Sequence, residues 1–252
     1  MRTANPALSH FTQADTYRME SSRTMSLNGT AVATGVLLAA CVSTAIVVWS
    51  LITNPSYEHL FWPFTLGGLV LGALLGLIIS FNPRSAPFLG VPYAVSEGAF
   101  LACFSLYITQ RWLGGADTGI IFQAIGATFA VTAAMLILYL AGIVRINSMA
   151  LKVMAVAAGG IVIYALAVII GNGLIGLNLP NLFVDASPLG IGFTALCVIL
   201  AAFFLVADFQ FIEAGIANGA PRYMEWYGAF GLLVTLVWLY IEMLRLLAKL
   251  RR

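Results

Sequence analysis

The chain has 252 residues, of which 61% are hydrophobic and only 9% are charged, against roughly 25% charged residues in a soluble domain. So few charges cannot form a water-soluble surface, and the large apolar patches that would result are rare on soluble monomers; lipid is the solvent that fits. The net charge of +2, with basic residues at segment ends instead of in one stripe, argues against a nucleic-acid partner.

A spanning helix needs about 20 mostly apolar residues, because the hydrocarbon core is about 30 Å thick and each residue rises about 1.5 Å. The charges mark the cuts. Residues 1–27 are polar, carry Arg2, Arg18 and Arg23, and read as a cytoplasmic arm. A first helix is expected from Thr30 to Thr53, ended by Asn54-Pro55, and a second from Leu60 to Phe81, stopped by Asn82-Pro83-Arg84. The third, Leu89 to Gln110, carries Glu97 within it. The fourth and fifth are expected over Thr118 to Val144 and Val153 to Leu177. A loop from Asn178 to Ser187 precedes the sixth, Pro188 to Glu213, and the seventh runs from Trp226 to Leu247. The membrane domain is thus 28–248, followed by a basic tail, 249–252. Backbone groups inside hydrocarbon must be paired within the protein, so these long unalternating runs are helices and the fold class is an all-α membrane protein with seven transmembrane helices.

Lys and Arg favour the cytoplasmic side. With the N-terminus inside, the arm, Arg84, Arg145, Lys152 and Arg222 lie inside and only Arg111 outside among the loops. Seven spans then put Lys249, Arg251 and Arg252 outside, so either the last segment is re-entrant or the bundle overrides a short tail. Leu38-Ala39-Ala40-Cys41 has the look of a lipoprotein cleavage site, but the apolar run continues to Thr53 and an uncleaved helix is the reading. Asn28-Gly29-Thr30 matches a glycosylation acceptor at the cytoplasmic border, where it would be idle. Cys41, Cys103 and Cys197 read as buried small hydrophobes, and His10 and His59 have no neighbours at ligand spacing, so no disulfide framework, stable metal site or cofactor is expected. Gly68, Gly72 and Gly76 repeat every fourth residue and line one face of the second helix, as close helix packing requires.

Acids at membrane depth are costly and mark functional sites by default. Glu97, Asp208, Glu213 and Glu242 qualify. Counting rises from the expected helix ends puts Glu97 about 12 Å, Asp208 about 8 Å and Thr235 about 13 Å from the cytoplasmic border. One shared cavity is the expectation. Two carboxyls in one poorly hydrated cavity resist double ionisation, so such a pair would hold or release a proton, and a carboxylate there suits a hard cation such as calcium. Fixing helix packing is the other role open to these acids. Glu213 reads as a solvated end charge, and Glu242 as half of an i,i+3 ion pair with Arg245. No mid-helix Lys for retinal, no buried Ser and His pair and no second facing Asp is present, so the chain reads as a non-enzyme.

Tyr93-Ala94-Val95-Ser96-Glu97-Gly98, Ala207-Asp208-Phe209-Gln210-Phe211-Ile212-Glu213 and Glu242-Met243-Leu244-Arg245 resemble the Bax inhibitor family, the transmembrane Bax inhibitor motif proteins. The likeness covers essentially the whole chain and is closest to a bacterial branch, through Asn5-Pro6-Ala7-Leu8-Ser9 and Gly219 to Tyr227. The resemblance implies six helices around a central seventh, a pH-sensitive calcium leak, residence in the bacterial inner membrane, and an Asp pair on the sixth and seventh helices as proton sensor. Asp208 matches the first of that pair; Thr235 stands where the second is expected, which leaves Glu97 or Glu242 as partner. It equally implies regulation of membrane-protein partners such as a quality-control protease.

Overall fold

The computed structural model describes residues 24–114 and 118–252. Arg2, Arg18, Arg23 and the Asn5 to Ser9 motif lie outside the described residues. Seven helices long and apolar enough to cross a membrane follow in order: α1 (Leu27–Ile52), α2 (Phe61–Phe81), α3 (Ala86–Leu113), α4 (Gly119–Leu140), α5 (Ser148–Ile170), α6 (Pro188–Ala217) and α7 (Met224–Leu250). Among the described residues there is no strand, as expected where hydrocarbon leaves backbone groups no partner but their own chain.

Local chemistry sets the ends. Ser26, Asn147 and Ser187 cap α1, α5 and α6, each accepting from a backbone N–H of the first turn. Gly114 takes a left-handed φ of 66° just past α3, a conformation a side chain would oppose. Several helices run past the charges that had marked their expected ends: α6 continues through Glu213 to Ala217, α5 begins before Lys152, and α7 passes Lys249. A charge at the lipid border does not break helical hydrogen bonding, so it marks the membrane edge and not the helix end.

α7 is the centre of the bundle, packing on α1, α3, α4 and α6, while α2 leans chiefly on α3, and α5 borders α6. Burial says the same: 56% of the spanning windows of α3 and α7 is enclosed, against 11% for α5. One apolar cluster fills the side of α7 toward α4 and α6, with Leu205, Ala201, Leu239 and Ile120. Another fills the side toward α1, α2 and α3, with Leu37, Ile79, Ala94 and Leu233.

The α1–α3 crossing is nearly backbone on backbone. Gly90, Ala94, Gly98 and Ala102 recur every fourth residue along α3 and are all buried, and a Cβ at Gly98 would overlap the carbonyl of Cys41. On the other side of α3, a Cβ at Gly68 of α2 would come 2.8 Å from the Ser96 carbonyl oxygen, one at Gly72 3.0 Å from a Glu97 carboxylate oxygen, and one at Gly76 only 3.4 Å from the Tyr93 ring. Small residues thus hold α3 between α1 and α2.

The 27 residues of α7 are uninterrupted and span about 40 Å, so its end lies on the face opposite Met25. Lys249, expected in an exposed tail, is 2% exposed. Its ammonium donates to the carbonyls of Leu182 and Gly190 at 2.7 and 2.9 Å and to the Thr194 hydroxyl at 2.6 Å. An ammonium this enclosed needs such a set of acceptors.

Candidate functional site

The helices α6 and α7 carry five of the buried polar side chains, Thr194, Glu225, Thr235, Glu242 and Lys249. Ala207 to Glu213 is the last part of α6, and Gly231 and Thr235 are one turn apart on α7. Thr235 Oγ1 donates to Asp208 Oδ2 at 2.6 Å, and the same hydroxyl lies 3.2 Å from the Gly231 carbonyl. A Cβ at Gly231 would stand 3.7 Å from Asp208 Oδ1. Asp208 therefore occupies a notch formed by a glycine and a hydroxyl, with a single side-chain donor.

Toward the N-terminal face the α6–α7 seam closes on Met25 and Ser26, just ahead of α1. Met25 donates its backbone N–H to the Ala220 carbonyl at 2.7 Å, and its side chain is buried between Gly215 and Gly228, close enough that a Cβ at Gly215 would come 2.8 Å from the sulfur. Ser26 donates its N–H and its hydroxyl to Glu225 Oε1 at 2.9 and 2.8 Å, and Arg222 lies 3.7 Å from the other oxygen. Glu225 and Met25 were not singled out from the sequence. Only the arm's return to the α6–α7 turn makes them partners, and no local spacing encodes it.

Glu97 and Asp208 approach α7 from different sides. Glu97 is half-buried beside Gly72, and Tyr93, one turn earlier, stacks edge-on against Phe230 of α7 with ring centroids 4.9 Å apart. Phe230 and Thr235 are five residues apart, hence about 140° around the helix. No hydrogen bond joins Glu97 to Asp208 among the described residues: Thr235 donates to Asp208, while the Glu97 carboxylate lies beside Gly72 of α2. Counting rises along a helix sets height, not azimuth.

Glu213 is exposed and accepts from the Tyr139 hydroxyl. Gln210, one turn earlier, holds the α4–α5 loop by accepting from Ile146 N–H at 3.0 Å and donating to the Ile146 carbonyl at 3.2 Å. Glu242 lies two turns beyond Thr235, roughly 10 Å along α7. It is buried, receives Arg245 Nη1 at 3.0 Å, and its second oxygen makes no well-formed hydrogen bond among the described residues. Between the two acids the seam is filled by Leu205, Ala201 and Leu239, all wholly buried. A dry apolar stretch separates a polar notch near one face from an ion pair near the other.

The chain matches the family model described as Bax inhibitor 1 like over residues 5–252, nearly its full length. It belongs to the Bax inhibitor 1-like family. No curated protein and no solved structure matches it. In this Bax inhibitor 1-like chain the three stretches that carry the resemblance lie on the interior helices: Glu97 on α3, Asp208 on α6, and Glu242 with Arg245 on α7. The partner of Asp208 across the seam is a hydroxyl that cannot ionise.

Proposed function

We propose that this multi-pass membrane protein is a pH-sensitive leak for cations, calcium foremost, in a bacterial inner membrane, with its N-terminal face toward the cytoplasm. It acts without enzymatic chemistry or a resident cofactor; calcium meets it transiently near Asp208. The observation that carries the reading is the Thr235–Asp208 hydrogen bond, the side-chain tie across the seam beside its apolar stretch. An ionised carboxylate accepts it as a charge-assisted bond, worth about 1.5–3 kcal/mol, whereas a protonated carboxyl accepts a neutral one, worth about 0.5–1.5 kcal/mol. Protonation exchanges the charge-assisted bond for a neutral one and at the same time removes a buried charge, so it changes how tightly the seam is held, as a pH-sensitive open–closed equilibrium requires. Thr235 and Gly231 are what α7 presents to Asp208. Glu213, the next acid along α6, is occupied by Tyr139.

The test is calcium flux from liposomes holding the purified chain and an indicator, at two pH values, with Asp208→Asn beside the native protein. Flux that changes with pH in the native protein and not in the variant supports the reading; an unchanged response in the variant removes Asp208 from the mechanism.

The second reading is a regulator without flux that binds other membrane proteins, such as a quality-control protease. The docking of Ser26 on Glu225 favours it, because Thr24 and Met25 pair with Pro221 and Ala220 at the α6–α7 turn, where a partner would sense both helices. Stable co-purification of a partner with no calcium flux would select it.

A further inference from the structure

Independently of any leak, we infer that the chain holds an anionic phospholipid in a crevice between α3 and α5, on the face where α7 ends. No packed interface joins α3 to α5. Between them is a cavity of about 280 Å³ walled by Phe104 and Trp112 of α3, Ala165 and Val168 of α5, and Phe183 of the α5–α6 loop, with Arg245 of α7 at its back. Asn181 and Val184 also line a second, more open hollow of about 630 Å³, which Arg252 borders. The two hollows adjoin at Asn181 and Val184, which line both.

Charge and shape at these hollows match one kind of molecule. Arg245 lies on α7, and Arg252 stands two residues beyond the end of that helix at Leu250. Arg245 is stacked between Phe104 and Phe183, its guanidinium carbon 5.3 and 5.2 Å from the ring centroids, and Arg252 lies over Trp112 at 5.5 Å. These rings hold the two cations in place without neutralising them. Glu242 is the acceptor for one N–H of Arg245 out of the five a guanidinium carries, and the others have no acceptor among the described residues. Asp185 also lines the outer hollow, where each of its oxygens accepts a hydrogen bond from Ser187.

Arg245 is exposed by a fifth to the slot and gives one N–H to Glu242, so leaving its remaining N–H groups at this depth is costly unless a second anion meets them. A phosphodiester does so in the planar, paired manner that guanidinium favours. The head lies between Arg252 and Arg245, and one acyl chain runs inward along Val168 and Phe104. Apolar walls at membrane depth select a lipid over a free phosphate.

The full-length protein is reconstituted into vesicles with equal amounts of phosphatidylglycerol and phosphatidylcholine of identical chains. It is then re-extracted in mild detergent, and native mass spectrometry counts the lipid that stays bound. Retention of phosphatidylglycerol about tenfold over phosphatidylcholine is expected, as a charge-assisted hydrogen bond provides. Arg245→Gln and Arg252→Gln should each erode that preference. Ala165→Trp, which fills the slot without changing charge, should lower retention of both lipids. Arg245→Gln strands Glu242, so if it does not fold, Arg252→Gln and Ala165→Trp decide. Equal retention of the two lipids, or a preference that survives both of those variants, overturns the assignment. Displacement of the bound phosphatidylglycerol by equimolar oleate also overturns it, by making a fatty acid the occupant.

Discussion

Thr235 donates its hydroxyl to Asp208 at 2.6 Å across the α6–α7 seam, so the side chain opposite the acid is one that never carries charge. Thr235→Val keeps the shape and removes the donor. A buried carboxylate stripped of its donor costs about 1–3 kcal/mol, and thermal unfolding in detergent at pH 8 should register that loss, while Thr235→Ser should recover most of it. A valine variant as stable as the native protein would mean that the hydrogen bond contributes nothing to the seam.

Lys249 ties the end of α7 to Leu182 in the loop before α6 and to Gly190 and Thr194 in the first turns of α6. Lys249→Met leaves these oxygens without their donor in a buried place. A loss of about 3 kcal/mol is expected from such a broken network, with protease cleavage appearing between Asn178 and Ser187. Were Lys249 a solvated tail residue, the same variant would melt with the native protein.

Gly98 and Gly126 separate crowding from mere helix propensity. A Cβ at Gly98 meets the Cys41 carbonyl, whereas one at Gly126 has nothing within 4 Å. Gly98→Ala should push α1 off α3 at a cost of about 1–3 kcal/mol; Gly126→Ala should be neutral or stabilising by up to about 1 kcal/mol. Size-exclusion profiles after a heat challenge report the difference.

Asp185 lies in the loop before α6, where the Ser187 hydroxyl first, and then its backbone N–H, hold the carboxyl below its ordinary value of 3.8. A depressed carboxylate adds stability that is fully present above its unfolded value and is lost only as pH falls through the lower, folded one. The loop should therefore stay docked from pH 8 down to about 4. Asp185→Asn should leave any flux response between pH 5 and 8 where it was; a moved midpoint would place the sensor in this loop instead of at Asp208.

Seven spans and their order were legible because length and apolarity decide whether a run can cross a bilayer, and both are local properties. The acids were legible as well: Asp208, Glu97 and Glu242 stand out because charge is rare at that depth. The α2 glycines gave a visible face, yet the fuller stripe on α3, Gly90 to Ala102, escaped notice because alanines among glycines look like ordinary apolar sequence. Lys249 was misplaced for a related reason. A cation near a chain end looks solvated until the oxygens that surround it, from a loop sixty-odd residues away, are in position.

Membrane residence and all-helical character thus follow from the order of residues alone, since each depends on neighbours along the chain. Which acids meet, which stay apart, and which cations are enclosed follow only from how the helices turn about their axes when packed. Azimuth is set by small-residue crossings such as Gly98 on Cys41 and by the docking of Met25 beside Gly215, contacts between residues far apart in sequence. For that reason Asp208 faces Thr235 while Glu97 looks toward α2.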